Sequence, residues 1–105
     1  MPGKVTVVNK RSHVGPAVYI GRPSIFGNPF DLSAGRRKCI EAYKEWFDDH
    51  MKSDTQLKSS VHLLVDYVKS GADINLACYC APLACHGDVI KAYIDNEINP
   101  KHEEI

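Results

Sequence analysis

The 105-residue chain lacks a hydrophobic run of membrane-spanning length, an excess of charge of either sign, an internal repeat and any low-complexity tract. The first absence excludes a transmembrane helix, which needs about 20 consecutive apolar residues. The second removes the field that would gather nucleic acid or an anionic membrane from a distance, since Lys plus Arg and Asp plus Glu each total 13. No basic helix, helix-turn-helix spacing or strand with interleaved aromatics occurs, so sequence-specific DNA binding is not expected. A basic start followed by an apolar segment and a small-residue cleavage site is also missing, because Met1-Pro2-Gly3-Lys4 leads straight into a strand-like pattern. The expected location is therefore cytoplasmic. In that compartment the four cysteines read as reduced thiols that pack, react or bind metal, not as a disulfide framework.

What remains is 44% hydrophobic, enough for one globular domain over residues 1–105 with a polar tail at 98–105. Lys4-Val5-Thr6-Val7-Val8-Asn9 is rich in β-branched residues and reads as a strand, central or near-central in its sheet. After the Gly15-Pro16 loop, Ala17-Val18-Tyr19-Ile20 reads as a second short strand. The stretch Gly21 to Phe30 mixes turn residues with Ile25, Phe26 and Phe30, apolar side chains that an ordinary solvated loop would not carry, so the loop is expected to be pinned and partly buried. Within it Gly21 and Gly27 allow close backbone approach, and Arg22 offers a planar fork suited to phosphate or carboxylate.

From Ala34 to about Met51, Cys39, Ile40, Tyr43, Trp46 and Phe47 recur at three- and four-residue steps, predicting an amphipathic helix with Ser33 as N-cap. Trp46 and Phe47 lie on the stripe of Ile40 and Tyr43 and read as core. Arg36 and Arg37 fall in its first turn, where the helix dipole disfavours a cation, so they call for an anion nearby. Ser53-Asp54-Thr55 supplies a turn and a cap for a second helix carrying Leu57, Val61, Leu64, Val65 and Val68 and ending near Ser70-Gly71. His62 reads as a boundary residue beside that stripe. Ile74 to Tyr79 is a strand pattern, and Val89, Ile90, Tyr93 and Ile94 mark a final helix. Strands alternating with helices imply an α/β layer with at least one crossover and a parallel pair.

The chemistry concentrates between that last strand and helix, where ligands bind in open α/β sheets and where a helix start favours an anion. Three readings compete for Cys78, Cys80, Cys85 and His86. A metal site could draw on three thiolates and an imidazole, but adjacent Cys85 and His86 do not easily converge on one ion and the two-residue loop between paired cysteines is absent. A nucleophile is the second, since a thiol at a helix N-terminus has a lowered pKa that His86 or Arg22 lowers further. The third is structural, with Cys78 as a small core hydrophobe and His86 and Asp88 capping the helix. The structural reading is taken for Cys78 and the functional one for Cys85, His86 and Asp88. No cofactor and no metal ligand is assigned.

Tyr19-Ile20-Gly21-Arg22-Pro23-Ser24, Gly27-Asn28-Pro29-Phe30, the helix-opening Arg36 with Ile40 and Tyr43, Leu76-Ala77-Cys78-Tyr79-Cys80-Ala81-Pro82, and Cys85-His86-Gly87-Asp88-Val89-Ile90 stand in this order along the chain. Together they resemble the domain-of-unknown-function family 4326 of bacteria and phages, over nearly the whole sequence. Phe26 stands where that family usually has Trp, and Ile25 where a basic residue is common. The resemblance implies a small three-layer Rossmann-like domain with a short, mainly parallel sheet and a site formed by these motifs, with no settled activity.

On this basis the expected function is to bind a nucleotide or nucleotide-derived small molecule and act on it, by glycosidic or phosphoester cleavage or group transfer. Cys85, His86 and Asp88 are expected to carry the chemistry. Gly21, Arg22, Ser24, Gly27, Asn28, Arg36, Cys80, Pro82 and Gly87 are expected to hold the ligand, with the arginines and the helix start clamping an anion and Asn28 reading a base or ribose. The alternatives are a phage-type module that sequesters or senses a signalling nucleotide unchanged, and a zinc-stabilised interaction domain. A homodimer that completes the pocket across an exposed sheet edge is consistent with either nucleotide reading.

Overall fold

The computed structural model describes residues 2–31, 33–53, 55–81 and 83–99. Its elements are β1 (Val5–Asn9), β2 (Val18–Tyr19), α1 (Arg36–Met51), α2 (Gln56–Lys69), β3 (Ile74–Cys78) and α3 (Gly87–Ile98). The three strands form one parallel sheet in the order β1-β3-β2, with Val5 opposite Ile74, Asn9 opposite Cys78 and Val18 opposite Leu76. The chain is thus a small α/β domain, as its alternating patterns require.

One strand assignment changes. β1 is an edge strand, not a central one, and β3 holds the middle. The reason is the character of the two faces. β3 buries Ile74, Leu76 and Cys78 on one side and Ala77 on the other, whereas β1 buries Val5 but leaves Thr6 exposed on its second face. The far face of the sheet meets the loop after β1, where Asn75 Nδ2 donates to the Pro16 carbonyl at 3.4 Å.

Tyr43 and Phe47 from α1, Val61, Val65 and Val68 from α2, and Ile90 and Ile94 from α3 close over Val5, Leu76 and Ile20 to make the core. Full burial of a large aliphatic side chain is worth about 1.5–3 kcal/mol, against about 0.3–1 kcal/mol for a charge at a helix end. Packing therefore contributes more to holding the helices in place than charges at their ends. Phe47 is fully buried as expected, while Trp46 is half-buried and lies against His50.

The helix ends show one agreement and one correction. Thr55 caps α2, its side-chain oxygen accepting from Lys58 N at 3.1 Å, and α2 closes at Ser70 with Gly71 at φ 107°. For α1 the N-cap is Gly35 at φ 100°, not Ser33. Asp31 takes the serine instead, accepting from both its hydroxyl at 2.7 Å and its backbone N–H at 3.0 Å. Among the described residues no helix is long and apolar enough to cross a membrane.

Candidate functional site

The C-terminal ends of β2 and β3 open onto a cavity of about 300 Å³ lined by residues from four separate stretches of chain. Tyr19, Gly21 and Arg22 come from the end of β2 and the turn after it, Asn28 and Phe30 from the following loop, and Arg36 and Ile40 from the first turns of α1. Cys78, Tyr79, Cys80, Cys85 and His86 complete it from the β3–α3 loop and its flanks. Two guanidinium groups and the cysteine–histidine corner thus meet in one hollow.

The loop after β2 is built to present Arg22. Ser24 N bonds back to Gly21 O and Gly27 N to Ser24 O, both at 2.9 Å, and the Arg22–Pro23 peptide is cis. Phe26 anchors the loop in the core, where its carbonyl accepts from the buried Tyr43 hydroxyl at 2.9 Å; Ile25 and Phe30 stay exposed, so one apolar residue pins this loop instead of three. Arg22 spends part of its fork on the chain, Nε donating to Asn28 O at 2.7 Å and Nη2 to Phe30 O at 2.8 Å. Nη1 keeps both N–H groups without a protein partner among the described residues. Arg36 is half-buried and donates from Nη1 to Ala84 O at 3.1 Å, tying α1 to the loop before α3. Arg37, beside it, points out to Glu41 at 3.3 Å.

Asn9 steadies the other wall. Its Nδ2 donates to the carbonyls of Tyr79 at 3.3 Å and Ala81 at 2.9 Å, so the end of β1 fixes the path of the chain leaving β3. Asp88 does the same farther along, Oδ2 accepting from the backbone N–H of Cys85 at 3.1 Å. His86 turns inward. It is 8% exposed, packs edge-on against the Tyr43 ring at 5.1 Å, and its Nε2–H donates to the Ile20 carbonyl at 2.7 Å. Burial, helped by the charge of Arg22, holds the imidazole below its ordinary pKa of 6.5, while the Ile20 carbonyl and Asp88 pull the other way. The neutral ring then carries its proton on Nε2 and its lone pair on Nδ1.

Several expected roles need correction. Cys85 is not a thiol with a lowered pKa: it is 3% exposed, and burial first, then the contact with Cys78, pushes it up to about 12 against the opposing Gly87 N–H. Near neutrality it is protonated and a poor nucleophile. His86 occupies the N-cap position of α3 but does not cap it, because its ring is committed to Ile20. Asn28 is occupied in holding its own loop, with Oδ1 accepting from Phe30 N at 2.9 Å and Nδ2 donating to Cys39 Sγ at 3.2 Å. Asp88, Ser24, Gly27 and Gly87 do not line the cavity. Gly27 packs against the Arg22 backbone, where a Cβ would stand 3.2 Å from Cα, and the Ser24 hydroxyl is buried with no partner among the described residues. The expectation for Pro82 lies outside the described residues.

Tyr19, Phe30, Ile40, Cys78 and Tyr79 line the cavity without having been singled out for it. Tyr19 and Tyr79 belonged to strand patterns, and their edge-to-face pairing at 6.1 Å, between β2 and the residue just after β3, depends on register that no single segment records. The motifs that converge here are those quoted for the family resemblance. A comparison with protein-family models matches residues 6–96 to the Domain of unknown function (DUF4326). The chain belongs to this family. Comparison with curated proteins and with solved structures finds no match. The matched span includes every residue that lines the cavity.

Proposed function

We propose that the domain binds a nucleotide or nucleotide-derived small molecule in this cavity and acts on it by glycosidic or phosphoester cleavage or group transfer. The observation that carries this reading is the meeting of Arg22 and Arg36 with the rings of Tyr19, Phe30 and Tyr79 in one hollow at the strand ends. Guanidinium forks suit phosphate oxygens, and aromatic faces suit a base. A cavity of about 300 Å³ is at the small end of ligand pockets, which fits one nucleotide-sized guest better than an extended chain.

Of the three residues expected to carry chemistry, His86 is the one that combines a place in the cavity wall with a neutral imidazole whose Nδ1 lone pair is a proton acceptor. Asp88 acts on it from a distance, through charge and through the backbone it holds at Cys85. Incubation with NAD and a panel of nucleotides tests the reading. Turnover that disappears in His86→Ala and falls in Asp88→Asn is the expected result, and no product from any of them counts against catalysis. Mass spectrometry of whatever heat denaturation releases then separates the two nucleotide readings: an intact stoichiometric ligand with no turnover means capture in place of conversion.

A further inference from the structure

Three thiols converge on the floor of the same cavity. Cys78 ends β3, Cys80 stands two residues on, and Cys85 sits just ahead of α3, yet their sulfur atoms all lie within 4.8 Å of one another. The Cys78 and Cys85 sulfurs are 3.2 Å apart. A tetrahedral ion with bonds of about 2.3 Å to sulfur spaces its thiolates about 3.8 Å apart, so changes in sulfur–sulfur spacing of about 1 Å or less convert this cluster into a ligand set.

Packing alone accounts for Cys78 and Cys85, which are buried. Cys80 packs against the edge of the core but is half-buried on the cavity wall, and its sulfur too lies within 4.8 Å of the other two. The surroundings also suit a charged centre. Gly87 N–H donates to Cys85 Sγ at 3.3 Å, the kind of outer bond that spreads thiolate charge, and the cluster lies at the N-terminus of α3. Three thiolates on a divalent ion leave a net negative charge, and Arg22 and Arg36 face the same cavity to offset it. His86 does not belong to the set, because Nε2 is directed at the Ile20 carbonyl and its ring lies outside the sulfur cluster.

We propose that Cys78, Cys80 and Cys85 bind a zinc-class divalent ion through three thiolates, with the fourth tetrahedral position turned to the cavity. Three protein ligands with one open position is the arrangement of a zinc site that meets an exogenous ligand, in contrast to the closed four-ligand structural site. Binding displaces the thiol protons to solvent and involves no change of oxidation state. The proposal goes beyond nucleotide binding and does not depend on it.

The test uses the full chain, purified with its thiols reduced, loaded with Zn²⁺ and freed of excess metal. About one zinc per chain is expected, and Co²⁺ in its place gives thiolate-to-cobalt charge transfer with the strong visible bands of a tetrahedral ion. Cys80→Ser, at the most exposed ligand, weakens Zn²⁺ binding more than about 100-fold, beyond what loss of an outer partner costs. Cys39→Ala, outside the cluster, retains the metal. Free imidazole shifts the visible cobalt bands by entering the fourth position; unmoved bands overturn the open position. Less than about a tenth of an equivalent of zinc on fully reduced protein, or a Cys78–Cys85 disulfide as the state recovered, overturns the site. Nucleotide binding is measured separately on chelator-treated protein, so its failure leaves the metal result standing.

Discussion

The Nε2 of His86 lies 2.7 Å from the carbonyl oxygen of Ile20, joining the start of α3 to the residue after β2. The bond is buried and orients a side chain of the cavity wall, so it contributes both to the fold and to the site.

The first prediction concerns pH. In the unfolded chain His86 takes up a proton near pH 6.5, whereas in the folded chain burial and Arg22 delay that uptake to lower pH. The unfolded state therefore binds more protons in that interval, and stability rises with pH through it. The contribution of His86 is complete above about pH 6.5 and is lost progressively as pH falls from there toward the depressed folded value. Urea melts at pH 5.5 and 7.5 should show the wild type weakened by acid, and His86→Gln, which keeps a donor for Ile20 but cannot titrate, should show a smaller difference between the two.

A second prediction isolates the hydroxyl of Tyr43. It donates to the Phe26 carbonyl at 2.9 Å in the core, and burial raises its pKa well above the usual tyrosine range. Tyr43→Phe removes the donor and leaves a buried carbonyl short of a partner, at a cost of about 1–3 kcal/mol. Denaturant titration should show that loss, with the main effect on nucleotide affinity appearing through a looser Arg22 loop.

The two arginines should separate cleanly. Arg22 supports its loop through two carbonyls, so Arg22→Ala is expected to lower both stability and affinity for a nucleoside monophosphate. Arg36 makes one bond, to Ala84, and Arg36→Gln should weaken binding about tenfold or more through loss of a charged donor, worth about 1.5–3 kcal/mol. Calorimetric titration alongside thermal melts checks both. Equal affinities for the wild type and Arg36→Gln would remove Arg36 from the site.

Gly87 provides the fourth prediction. A Cβ there would stand 2.8 Å from Ile20 Cδ1, 3.2 Å from Val7 Cγ1 and 3.3 Å from Cys85 Sγ. Gly87→Ala should cost about 1–3 kcal/mol by overpacking. Combining it with Ile20→Val, which removes the nearest atom, should recover part of that loss in a double-mutant cycle.

Local patterns carried most of the elements. The apolar stripes of α1 and α2 and the Thr55 cap appear where periodicity and hydrogen-bonding chemistry put them. The misreadings share a cause. Ser33 is a good cap by type, but its hydroxyl donates to Asp31 and Gly35 takes the cap position. Cys85 has the address of an activated thiol, but burial in the core, and after it the contact with Cys78, raises its pKa. Cys78 looked like filler because nothing in Cys78-Tyr79-Cys80 shows that Cys85 folds back onto it.

Sequence alone determined the α/β class and the extents of α1 and α2 to within about two residues, because these depend on contacts between near neighbours. Which strand lies in the middle, which side chains share the cavity and whether a given thiol is buried were decided only by the tertiary structure. Those properties depend on segments as distant as Ile20 and His86 arriving at one point, and burial there governs protonation more strongly than any adjacent residue.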